Sequence, residues 1–110
     1  MLWVGTDAGL ASVRLEELDE PEQWVRFDDV ELGAVSALAR DRETLFVGTE
    51  DGLYQYSLIT GDWARMQGSE GLRVHDLSLF DGTLYVASSR GLRSYRDGVG
   101  TGWLVVGESV

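Results

Sequence analysis

Three short segments constrain the fold of this chain more than anything else in it: Leu2-Trp3-Val4-Gly5-Thr6, Leu45-Phe46-Val47-Gly48-Thr49 and Leu84-Tyr85-Val86-Ala87-Ser88. Gly5 and Gly48 lie 43 residues apart, and Ala87 follows 39 residues later with a second replacement, Ser for Thr, beside it. A Gly-Leu pair follows each segment at the same offset, as Gly9-Leu10, Gly52-Leu53 and Gly91-Leu92, and a tryptophan follows each pair: Trp24, Trp63 and Trp103. From Trp24 to Val35 is 11 residues, as from Trp63 to Val74, and from Val35 to Leu45 is 10, as from Val74 to Leu84. The extra length of the first period therefore falls between Leu10 and Trp24, where the acidic segment Glu16-Glu17-Leu18-Asp19-Glu20-Pro21-Glu22 sits. Such a register reads as one supersecondary unit used repeatedly. The repeats run approximately over 1–33, 34–72 and 73–110, within a single domain spanning 1–110.

Each unit reads as four short strands. The first is Val35–Ala39 or Val74–Leu79, and Asp41-Arg42-Glu43 or Asp81-Gly82 turns it into the second, Thr44–Gly48 or Thr83–Ala87. Asp-Gly between apolar segments is a strong hairpin signal. Glu50-Asp51-Gly52 or Ser89-Arg90-Gly91 leads into the third strand, Leu53–Tyr56 or Leu92–Tyr95. Gly61-Asp62, or Gly100-Thr101-Gly102, opens a fourth around the tryptophan. Alternation is clear in Leu53-Tyr54-Gln55-Tyr56-Ser57, β-branched and aromatic residues dominate, and no segment sustains a helical period. The expectation is all-β.

A four-stranded antiparallel unit recurring every ~40 residues is the pattern of β-propeller blades. The stretch Leu2-Trp3-Val4-Gly5-Thr6-Asp7-Ala8-Gly9-Leu10 resembles the two-component-regulator propeller repeat, whose core runs Leu-Trp-Ile-Gly-Thr-x-x-Gly-Leu. The chain is WD40-like in its blade architecture only, since no Gly-His and no Trp-Asp pair stands in the expected places. The resemblance covers nearly the whole chain. It implies blades whose strand residues face the neighbouring blade on either side, with Gly5, Gly48 and Ala87 small enough for close approach. The first repeat starts at its second strand and the third stops at its fourth, giving about 2.75 blades, whereas propellers close with ~4–8. Open blade faces and strand edges invite association. The expected partners are other copies of the chain, in a homo-oligomer whose simplest form is a dimer, or the remainder of a longer propeller.

The charge balance bears on environment and partners. Nineteen acidic residues face nine basic ones, all Arg, for a net charge of −10; there is no Lys and no Asn, and Ile59 is the single Ile. This balance resembles proteins of extreme halophiles, especially haloarchaea, whose dense carboxylates suit molar salt, where the Debye length falls to ~3 Å. On this reading the melting temperature rises steeply with KCl, and a flat response would refute it. Nucleic acid is an unsuitable partner, because nothing here neutralises a run of phosphates. No apolar run approaches the ~20 residues of a membrane helix. The absence of cysteine and of a basic, apolar leader fits a cytoplasmic protein.

The residues offer no acid–base or nucleophile constellation, so no catalytic residue, cofactor or metal ligand is assigned. His75 is the only histidine, and beside it Asp76 shares the first, innermost strand of the third repeat. These two are the candidate binding residues, placed towards an axial channel. The acidic runs Glu16–Glu22 and Asp28-Asp29 with Glu31 lack the spacing of a Ca²⁺ loop. Trp24, Trp63 and Trp103 hold equivalent places, which suits packing rather than sugar stacking. The expected function is a non-catalytic recognition or scaffold module, with a protein as a possible partner. The alternatives are a lectin, or an enzyme whose site forms only in an assembled ring from His75, Asp76, Arg73 and Arg90.

Overall fold

The alternating segments form short antiparallel strands in a computed structural model, which describes residues 1–6, 9–27, 33–96 and 99–100. The fold is all-β, in three sheets. The first contains β1 (Leu2–Thr6), β2 (Gly9–Val13) and β3 (Val25–Phe27). The second contains β4 (Val35–Arg40), β5 (Thr44–Thr49), β6 (Gly52–Ser57) and β7 (Trp63–Arg65). The third contains β8 (Val74–Phe80), β9 (Thr83–Ser88), β10 (Gly91–Arg96) and β11 (Val99–Gly100). Within every sheet the spatial order follows the sequence order. The acidic segment between β2 and β3 forms two single-turn 3₁₀ helices, Leu15–Glu17 and Pro21–Gln23, on the surface.

The strands extend by a residue or so beyond the bounds read from the sequence, and two of these differences have a local cause. The last strand was expected to open at Gly100-Thr101-Gly102, and β11 begins one residue earlier, pairing Val99 and Gly100 with Arg96 and Tyr95. The hairpin closes early because Arg96 is still extended and brings Val99 opposite itself; Trp103 lies outside the described residues. The second strand of each unit also runs one residue further, to Thr49 and Ser88, because its terminal hydroxyl closes the following turn. Thr49 Oγ1 donates to Gly52 O (3.0 Å) and accepts from Asp51 N (3.1 Å). Ser88 Oγ repeats both bonds with Gly91 O and Arg90 N, and Thr6 Oγ1 donates to Gly9 O. Ser can replace Thr here because only the hydroxyl is used. Gly9, Gly52 and Gly91 follow that turn with φ of 131°, 150° and 116°, values a Cβ would penalise.

The sheets stack face to face through two seams. Between the first and second lie Leu10, Leu45, Val47 and Tyr54, with Trp3, Phe27, Val35, Leu38, Tyr56 and Trp63 packed around them. Between the second and third lie Leu53, Met66, Leu72, Val74, Leu77, Leu84, Val86 and Tyr95. Strand alternation assigns each side chain to a seam: Leu45 and Val47 of β5 face the first sheet, while Phe46 packs on the cluster shared with the third. Burying one such aliphatic side chain stabilises the fold by ~1.5–3 kcal/mol.

The same wedge builds both seams. A Cβ added at Gly5 would overlap Val35 and come 2.9 Å from its Cβ; one added at Gly48 would overlap Val74 with the same 2.9 Å approach. The small residue in the repeated segment is therefore the socket for a valine on the next sheet. Both valines precede a β-bulge, at Ser36 in β4 and His75 in β8. Ser36 Oγ lies 2.5 Å from Val74 O and 3.2 Å from Gly48 O, joining β4 to β8 across the second seam.

Candidate functional site

His75 and Asp76 lie on β8, the edge strand of the third sheet, and both are exposed. His75 occupies the bulge, the place that Ser36 holds on β4. Asp76 stands opposite Ala87 in the strand register, and its Oδ1 accepts from the Leu77 amide at 2.9 Å. A carboxylate held this way keeps its second oxygen for another donor. The two residues thus sit at one solvent-facing edge, with the bulge setting their spacing.

The two arginines named with them come to the same end of the sheet. Ser89 N donates to Arg73 O at 3.0 Å, so the entry to β8 meets the β9–β10 turn that carries Arg90. Arg90 Nη2 reaches Glu70 O at 3.5 Å. Arg73, His75 and Arg90 are all exposed. Nothing among them forms a nucleophile–base pair, and among the described residues no three His, Asp or Glu side chains gather as a metal site. The arrangement can offer hydrogen bonds and positive charge to a ligand at this edge, in a chain that is otherwise strongly acidic.

Two arginine–tyrosine stacks form, one within the second sheet and one against the loop that leads to the third. Arg65 donates to Tyr54 Oη, stacks 5.0 Å over that ring and reaches Asp51 at 3.8 Å. The bond to Tyr54 pushes its guanidinium further above its already high range. Arg93 lies 4.9 Å over the Tyr95 ring, and the Tyr95 hydroxyl donates to Gln67 O at 3.1 Å. Burial raises the Tyr95 phenol above 10.0, with Arg93 opposing and Glu70 reinforcing the shift. Ser69, fully buried, donates to Met66 O at 2.7 Å, and its Oγ lies 3.2 Å from both Leu53 N and Leu53 O.

An open cleft of about 300 Å³ lies where the second seam reaches the surface, bordered by Asp41, Glu43, Phe46, Gln55 and Tyr95. Asp41 is engaged in its own turn, accepting from Glu43 N and Thr44 N at 2.8 Å. The cleft gathers no acid–base pair. Of the tryptophans, Trp63 stacks 4.8 Å from Tyr56 and Trp24 Nε1 donates to Leu18 O at 3.4 Å. Among the described residues no helix is long and apolar enough to cross a membrane. No family model matches the chain, and no curated protein is similar to it in sequence.

Sequence reasoning missed the bulge, which makes His75 the counterpart of a serine that bridges two sheets. The available signal was positional: Ser36 and His75 each follow the seam valine.

Proposed function

We propose that the three sheets are consecutive blades of a β-propeller, about 2.75 of them, and that the chain is a non-catalytic recognition or scaffold module. Its ring is completed by further copies or by the rest of a longer propeller. One observation carries this reading: Val35 on Gly5 and Val74 on Gly48 are the same joint made twice, and among the described residues the third sheet presents the next face of that series with no sheet packed on it. A face with Phe80 71% and Tyr85 45% exposed is suited to a partner. The recognition surface is the edge carrying His75 and Asp76, with Arg73 and Arg90 at its end. Proteins of this shape host many functions, so the ligand must be read from that edge rather than from the fold.

Light scattering at low and at molar KCl tests the assembly. A particle larger than one chain supports it; a stable monomer that binds no hydrophobic dye refutes it. A structure of the assembled ring tests the recognition surface. His75 and Asp76 should line open space that holds a ligand, and packing of both into protein would overturn this part.

A further inference from the structure

The two seams are built on one strand register, and at one place they are filled differently. Trp3 and Phe46 hold the same position in the repeated segment, two residues before Gly5 and Gly48. Tyr56 and Tyr95 also correspond, since Tyr56 stands opposite Leu45 and Tyr95 opposite Leu84. Phe27 and Met66 correspond as well: Phe27 stands opposite Leu10, and Met66 N donates at 2.8 Å to the carbonyl of Leu53, the counterpart of Leu10. In the first seam these residues meet. The Trp3 and Phe27 rings lie 5.2 Å apart, and 6.0 and 5.4 Å from the ring of Tyr56. In the second seam Phe46 is smaller than Trp3 and Met66 is no ring, and among the described residues no aromatic ring packs on Tyr95. Phe46, Met66 and Tyr95 instead border the cleft of about 300 Å³.

The remaining border of that cleft is polar and acidic. Asp41 and Glu43 of the β4–β5 turn belong to it, and Gln55 of β6 adds an amide. Asp41 accepts both turn amides through Oδ1, so Oδ2 keeps its capacity for another donor. Among the described residues neither Asp41 nor Glu43 forms an ion pair. Of the two arginines beside Asp41 in sequence, Arg40 turns its Nε to Asp41 O at 3.3 Å, and Arg42 is exposed. The cleft therefore combines a ring-sized apolar gap with carboxylates that no cation of the chain neutralises.

We propose that this cleft binds a small organic cation: a flat amidinium or guanidinium carried on a ring-sized apolar body. The body takes the room that Trp3 and Phe27 fill in the first seam, against Phe46, Met66 and Tyr95. The cation meets Asp41 and Glu43, where planar N–H donors match carboxylate oxygens. The volume is at the lower end of the range for small-molecule sites. The site is separate from the β8 edge carrying His75 and Asp76, and it rests on the contrast between the seams, independently of how the ring is completed.

Benzamidine is the probe and benzamide its uncharged counterpart. Each is titrated calorimetrically into the full chain at the lowest KCl concentration at which circular dichroism shows it folded. Benzamidine should bind with a Kd on the order of 1 mM or tighter, and benzamide at least about fivefold more weakly. Glu43→Gln, at an exposed position, should weaken benzamidine about two- to fivefold and leave benzamide unchanged. Phe46→Trp puts the larger ring of the first seam into the cleft and should weaken benzamidine about tenfold or more. Absence of benzamidine binding at millimolar concentrations overturns the inference, and so does equal affinity for the two probes. If Phe46→Trp folds and binds benzamidine as the parent does, the ligand sits elsewhere and the inference fails. If Phe46→Trp does not fold, Glu43→Gln decides: selective weakening of benzamidine supports the site, and unchanged binding refutes it.

Discussion

The two seams share a wedge and little else. The first is rimmed by aromatic rings, with centroids 5.2 Å apart for Trp3–Phe27, 5.4 Å for Phe27–Tyr56 and 4.8 Å for Tyr56–Trp63, around a small buried centre. The second is largely aliphatic, with Tyr95 as its one fully buried ring, and its buried centre is larger: Leu53, Leu72 and Val86 have no exposed surface at all. The contrast follows from what borders each seam. β4 and β8 lie side by side along the second, and the loop after β7 folds Met66, Ser69 and Leu72 over it. Along the first, among the described residues, β1 faces β4, and bulky rings fill part of the width while staying half exposed. A common joint therefore sets the spacing of the sheets, and the neighbouring strands and loops decide how dry each seam becomes.

The largest expected effect lies in the dry seam. Leu72→Ala should cost about 2–5 kcal/mol in denaturant unfolding, and Trp63→Ala less, because its site is already half open. Equal losses would erase the distinction drawn between the seams. Next, Gly48→Ala should cost about 1–3 kcal/mol through overlap with Val74. Adding Val74→Ala should recover part of that loss in a double-mutant cycle, and Gly5→Ala with Val35→Ala should behave alike. Simple additivity in both cycles would show that the wedge is not the shared joint.

Smaller again is Ser36→Ala, which removes the hydroxyl bridging β4 and β8. A loss of about 0.5–1.5 kcal/mol is expected, with faster amide exchange at β8. The most limited effect is on pH dependence. The Tyr95 phenol titrates above its unfolded value in the folded chain, so its contribution is complete below 10.0 and is lost as the pH rises through the folded value. Tyr95→Phe should flatten that alkaline loss, as read by melting temperature against pH. An unchanged slope would separate the second seam from the arginine–tyrosine brace.

Strand cores were legible in the sequence because alternation such as Leu53-Tyr54-Gln55-Tyr56 and turns such as Asp81-Gly82 are local signals. The roles inside the repeated segment were not. Val35 and Val74 served as markers of register, but a valine does not announce that it fills a glycine socket on another sheet. The bulges at Ser36 and His75 carry no residue-type signature, since a bulge is set by the partner strand's register. The two 3₁₀ turns carry no helical period because each is a single turn in a charged segment; Leu15–Leu18 is the nearest helical candidate, too short and too close to Pro21 to be read as a helix. For the site, the sequence placed His75 and Asp76 on the right strand, yet their exposure depends on what packs beside β8.

The hydrogen-bonding order of the strands has a consequence for how the molecule is made. Every described pairing joins strands adjacent in sequence, so each sheet closes through local connections, of which the segment between β2 and β3 is the longest, whereas the Ser36–Val74 bond spans 38 residues. Closing short loops is entropically cheap and fast compared with joining distant segments. A nascent chain can complete one sheet before the next has been synthesised, and then dock it as a preformed layer. Lengthening such a chain by one unit adds a layer without rethreading any earlier strand, so gene duplication can extend it at little cost to folding speed.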